Sequence, residues 1–169
     1  MTRQEIAEAV ASFAAAAVRA QKAGFDAVEL HAATAYLIDE FISRQYNRRT
    51  DEYGGSLHNR ARFLVETIRA CRQATGGSFP IWCRINGEEG MLEHGITLDE
   101  SREVARLAEE AGAWAIHVTR YGGVPGQLPV MAQHFGLAVP LAAEIKKVVS
   151  VPVIVAVKMT PDQGEMAIK

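Results

Sequence analysis

"KAGFDAVELH" (residues 22–31) already contains the architectural unit of this chain. A lysine closes an amphipathic stretch, Gly24 stands where a helix would stop, and Val28 and Leu30 begin an apolar run. The same arrangement returns as "EAGAWAIHV" (residues 110–118). A second pair, "SFPIWCRI" (residues 78–85) and "SVPVIVAV" (residues 150–157), shares a Ser-x-Pro lead into a hydrophobic run. Helical spacing covers residues 3–22, 57–74, 98–111 and 138–149, and each of these follows or precedes a strand at 25–31, 79–85, 113–119 or 151–157. Thr2 with Glu5 and Thr97 with Glu100 have the spacing of capping boxes. Gly24 and Gly112 read as left-handed helix caps, which is a structural duty. Strands apolar on both faces, alternating with amphipathic helices, predict an α/β fold with a parallel sheet and helices outside it.

The 169 residues suffice for one domain with a real core. Hydrophobic residues make up 49% and charged ones 22%, the balance of a globular protein, and a net charge of −2 gives no electrostatic case for nucleic acid or an anionic membrane. No apolar run reaches the length of a membrane span, and "MTRQEIAEAV" reads as a capped helix in place of a signal peptide. Cys71 and Cys83 are isolated thiols, so neither a disulfide framework nor a cysteine metal site is expected. The expected location is the cytoplasm.

In parallel α/β architectures chemistry collects where strands end. Those ends carry His31, Thr34 and Tyr36, then Arg84 and Asn86, then His117, Thr119 and Arg120, then Val157 and Lys158. His58, His94 and His134 have no metal-site spacing and read as surface residues.

The stretch from Ala23 to Ile68 resembles the Old Yellow Enzyme family of flavin-dependent oxidoreductases, which includes enoate and dienoyl-CoA reductases. The resemblance rests on "GFDAVELH", "AYLIDEF", "N-x-RTDEYGGS" and "NRARF" at family spacing, and on "PIWCRIN" and "VPVIVAV" further on. It implies a partial (β/α)8 barrel, about its middle half, with FMN as cofactor and NAD(P)H as reductant. It also implies roles for individual residues. His31 would donate to the substrate's carbonyl or nitro oxygen. Thr34 stands where the family usually has a second donor, His or Asn. Tyr36 would protonate the α-carbon once hydride has reached the β-carbon. Arg84 would lie beside the flavin's N1 and C2 carbonyl, and Val157 and Lys158 would lie against the FMN phosphate, where the family commonly has Gly-Arg or Gly-Asn. The segment "NRRTDEYGG" would be structural, with Asp51 pairing with arginine.

These roles suit the chemistry of an ene-reduction. Hydride addition to an enone builds negative charge on oxygen, which fixed donors stabilise. A phenol keeps its proton at neutral pH and can pass it to a developing carbanion. A permanent guanidinium stabilises charge that gathers on a flavin. Thr34 is a shorter donor than the family's usual residue, and Val157 replaces a glycine that would let backbone approach a phosphate.

Two other readings stay open: a phosphate-binding barrel enzyme without flavin, such as an aldolase or isomerase, and a non-catalytic half-barrel. The last helix start, "TPDQ" (residues 160–163), is followed by few residues, so residues 1–169 are expected to be a single partial barrel domain with both terminal parts of the barrel absent. Open sheet edges then lead to an expectation of self-association. The expected partner otherwise is a small unsaturated molecule.

Overall fold

The computed structural model of the protein describes residues 1–90, 92–122, 136–156 and 158–168. Ten elements follow one another: α1 (Arg3–Lys22), β1 (Val28–Ala32), α2 (Leu37–Ile42), α3 (Leu57–Ala74), β2 (Ile81–Glu89), α4 (Leu98–Glu110), β3 (Ile116–Tyr121), α5 (Val139–Lys146), β4 (Val153–Val155) and α6 (Pro161–Ile168). The four strands are parallel and lie in chain order, so every connection is a helix-bearing crossover between neighbours.

The predicted caps form. Thr2 and Thr97 accept the amides of Glu5 and Glu100, whose carboxylates reach back to the cap amides. Thr160 and Gln163 exchange the same pair of bonds ahead of α6. Gly24 and Gly112 lie at φ +86 and +100, a region open to glycine and strained for other residues. Strands and helices pack around Leu30, Ala32, Cys83, Ile85, Ile116 and Val118 on one side of the sheet, against Phe63, Leu64, Ile68, Val104, Ala108 and Ile145 from the helices.

Three features depart from the sequence expectation. β1, β2 and β3 are apolar chiefly on the helix side, while β4 keeps Ile154 on the other face beside His117. The opposite face carries Glu29, His31, Trp82, Arg84, His117 and Thr119, bridged across strands by their own side chains. Second, α2 was not anticipated; its six residues fall below the length at which periodicity is legible. Third, β2 runs on to Glu89, with its pairing to β3 irregular between Asn86 and Glu89, whereas β1 stops opposite Ile85. β2 therefore outruns its neighbour and leaves Asn86 and Glu89 beneath the turn that follows β1.

The segment before α3 is structural, as expected. Arg49 forks onto Asp51, with 2.5 Å between Nη2 and Oδ2, and lies over the Phe41 and Tyr53 rings. Gly54 is obligatory there, since a Cβ would meet the Arg49 carbonyl oxygen at 2.1 Å.

Candidate active site

Register places the first site residues side by side. His31 of β1 pairs with Arg84 of β2, and Arg84 with His117 of β3, so three cationic or ionisable side chains form one row. Arg84 donates from Nη2 to Thr119 Oγ1 at 3.2 Å, while its buried Nε has no protein acceptor. In the row below, Glu29 Oε2 accepts from Trp82 Nε1 at 2.8 Å and lies 2.7 Å from His117 Nδ1. Glu29 thus ties three strands together on the polar face. Sequence alone assigns no role to Glu29 or Trp82, because alternation does not say which face of a strand is covered.

The remaining site residues sit on the turn after β1. Thr34 and Ala35 both have left-handed backbone, φ +56 and +57. For residues other than glycine this conformation costs roughly 1–2 kcal/mol each. Side chains from outside the turn offset that cost: Asn86 Oδ1 accepts the Thr34 amide at 3.2 Å, and Asp39 Oδ2 accepts the Ala35 amide at 2.7 Å. The turn brings Thr34 Oγ1 to 3.1 Å from His31 Nε2 and stacks Tyr36 beside His31, with ring centroids 4.8 Å apart and planes at 47°. Tyr36 is 62% exposed, so its phenol stands at an open rim and does not plug the core.

Burial lowers the pKa of His31, and the charge of Arg84 lowers it further. A neutral imidazole is therefore the form present at neutral pH, with one ring nitrogen a donor and the other an acceptor. Its Nδ1 is buried without a partner. The polar face thus holds two buried nitrogens without a protein partner, His31 Nδ1 and Arg84 Nε.

The structure brings His31, Thr34, Tyr36 and Arg84 together. Lys158 lies apart, beyond the end of β4, half-buried and at φ +49, and its carbonyl accepts the Gly136 amide at 2.9 Å. Val157, His134 and most of the "YGGVPG" loop (residues 121–126) lie outside the described residues. Arg120 is held in an ion pair with Glu88 at 2.7 Å. His58 and His94 are exposed, and no group of residues that could hold a metal occurs among the described residues.

Residues 1–169 match the NADH:flavin oxidoreductase / NADH oxidase family from end to end. The chain belongs to that family. An NADH oxidase from Thermoanaerobacter brockii is 44% identical over 171 residues, covering 99% of this chain and 26% of its own length. Among solved structures, a 2-naphthoyl-CoA reductase in complex with 2-naphthoyl-CoA superimposes with a TM-score of 0.91 at 35% identity, over 99% of this chain and 26% of that one. An old yellow enzyme homologue from Zymomonas mobilis superimposes with a TM-score of 0.79 at 29% identity, over 99% of this chain and 46% of that one. The four-stranded sheet is thus an arc of the flavin oxidoreductase (β/α)8 barrel, and the chain spans between a quarter and a half of these relatives. No helix among the described residues is long and apolar enough to cross a membrane.

Proposed function

We propose that the protein works as an FMN-dependent oxidoreductase of the ene-reductase type, using NAD(P)H to reduce a C=C bond conjugated to an electron-withdrawing group. One observation carries the reading: an imidazole, a hydroxyl and a phenol are gathered within one turn, directly beside a strand-borne guanidinium with an unpartnered Nε. That is the set of groups an enone needs on its oxygen and its α-carbon.

Arg84 and the groups in its row would hold the flavin ring edge, and Lys158, with Val157, would meet the phosphate. FMN, when bound, supplies the hydride that it takes from NAD(P)H. The chain's own residues do the rest. His31 and Thr34 bind the substrate's carbonyl oxygen and stabilise the charge that develops there. To do so their mutual contact opens, so that each hydroxyl or ring N–H is aimed at the ligand. Tyr36, whose ring centroid lies 4.8 Å from that of His31, holds a proton on its phenol oxygen and delivers it to the α-carbon. The family relative crystallised with 2-naphthoyl-CoA carries a ligand whose unsaturation is conjugated to a thioester carbonyl, which supports a conjugated acyl compound as substrate class. The free, buried Cys71 and Cys83 support a cytoplasmic setting, where thiols stay reduced.

Purification tests the cofactor. A yellow protein whose released flavin is FMN, and which NADH or NADPH bleaches under argon, is the expected result. Colourless protein that takes up no FMN on titration would overturn the reading in favour of a barrel enzyme without flavin.

A further inference from the structure

Under the site turn lies a buried polar cluster in which a carboxyl group has no obvious reason to be. Asp39, on α2, is fully buried, as is Ser43, and Asn86 and Glu89 from the overrunning end of β2 are nearly so. Asp39 Oδ2 accepts from the Ala35 amide at 2.7 Å and from Asn86 Nδ2 at 2.9 Å. Asn86 uses its other end, Oδ1, to accept the Thr34 amide, while its backbone carbonyl accepts Ser101 Oγ at 2.7 Å. Asn86 is thereby fixed from three sides, and it cannot turn its amide over without facing one N–H with another.

We propose that Asp39 is the positioning residue of this site: directly through the Ala35 amide, and by way of Asn86 through the Thr34 amide, it sets the strained turn that presents Tyr36 beside His31. The proposal rests on the ene-reductase reading for what Tyr36 does, though not for the geometry of the turn. Two consecutive left-handed residues persist only where their surroundings over-determine them. Here the over-determining groups are these two side chains.

The cluster also explains how a carboxyl can serve in so dry a place. Glu89 has its oxygens occupied: Oε2 accepts from Ser43 Oγ and from the Ile96 amide at 2.8 Å, and Oε1 receives Asn86 Nδ2 at 3.4 Å. Asp39 Oδ1, in contrast, meets no donor. Burial first, and the adjacent Glu89 second, push the Asp39 carboxyl up to about 8. The other titratable groups on that side are the Tyr46 phenol, itself raised by burial, and Tyr121 of β3, to which it is hydrogen-bonded. From α3, Arg60 is engaged by the Ile42 carbonyl and Glu100. A neutral Asp39 carries its proton on Oδ1, which meets no donor, and keeps Oδ2 as the acceptor for both N–H groups. Asparagine has the same shape and the same division of donor and acceptor.

The test compares D39A with D39N in the FMN-loaded protein. Alanine removes the acceptor; D39A should slow reduction of an enone such as 2-cyclohexenone by about 10- to 100-fold, the scale expected from a small misplacement of a reacting group. Flavin bleaching by NAD(P)H should stay within about 3-fold of wild type. D39N should recover most of the enone rate. Hydrogen exchange supplies a readout that does not depend on the reaction: the 34–36 amides should exchange at least about tenfold faster in D39A, β2 amides should not, and D39N should restore protection. If D39A does not fold, Asn86→Ala, which removes the Thr34 acceptor, carries the same comparison. Unchanged exchange at 34–36 in the alanine variant, or D39N as impaired as D39A, would overturn the proposal. Wild-type protein that reduces no enone would defeat the functional reading, and the exchange result would still decide the role of Asp39.

Discussion

Replacing Tyr36 with phenylalanine separates proton delivery from everything else at the site. The ring of Tyr36 touches His31 and is 62% exposed, so deletion of one oxygen leaves the packing and the ring contact in place. The stability change should stay within about 0.5 kcal/mol, as for other surface substitutions. The chemical effect is of another order. A positioned general acid contributes about 10²–10⁴-fold, or roughly 3–5 kcal/mol of barrier at 1.36 kcal/mol per decade. The two half-reactions are followed separately by stopped-flow absorbance: bleaching of the flavin by NAD(P)H, and recovery of its colour on mixing with an enone. Y36F should slow recovery by that factor and leave bleaching within about twofold. Equal slowing of both halves, or no slowing of either, would refute the assignment of Tyr36 as proton donor.

Three further outcomes are expected. H31A should weaken phenol binding, read as a perturbation of the flavin absorption, more than T34A does, because the imidazole is fixed in the strand row while the hydroxyl is a short rotor; the reverse order would move the principal anchor to Thr34. Stability should depend on pH through Asp39: with its pKa raised to about 8 in the fold, the native state holds more protons than the unfolded chain between about pH 4 and 8, and stability falls as pH rises across that window. The lowered pKa of His31 gives the opposite slope below its ordinary value, and comparing thermal melts of wild type with D39N cancels it; parallel melting curves in the two proteins would show that Asp39 is ionised throughout. Finally, β1 and β4 are the outer strands of the sheet among the described residues, and an isolated polypeptide of residues 1–169 should self-associate through them in light scattering; a monodisperse monomer at high concentration would count against edge pairing.

Much of this was legible in the sequence, and the reason is periodicity. Helices α1, α3 and α4 span several turns with capping residues at their starts, and both signals are local. The row of His31 and Arg84 was legible because both close an apolar run in the sequence, and parallel register sets them side by side even though β2 continues past Arg84. What escaped was set by contacts distant in sequence. The polar face of the sheet depends on which side the helices cover. The left-handed turn at Thr34 and Ala35 carries no glycine to announce it, and its support comes from Asn86, some fifty residues away. Asp39 sits between Ile38 and Phe41 in a segment that reads as apolar, where an acidic residue suggests a solvent-facing position. Beyond the local Ala35 amide, its partner Asn86 comes from the overrun of β2.

That overrun has a consequence for how the oxygen anchor can vary. Position 34 is held through its backbone amide, which donates to Asn86 Oδ1, while its side chain meets His31. On the proposed reading, the anchor is an interchangeable fitting on a rigid bracket: a different residue at 34 would change what the ligand oxygen meets, while the backbone bond to Asn86 that sets the turn would stay. Threonine, being β-branched, is among the residues least suited to a φ of +56, whereas asparagine tolerates that region well. Thr34→Asn would relax the backbone and lengthen the donor at the same time. At this one position, a firmer grip on the substrate and a more comfortable chain pull in the same direction.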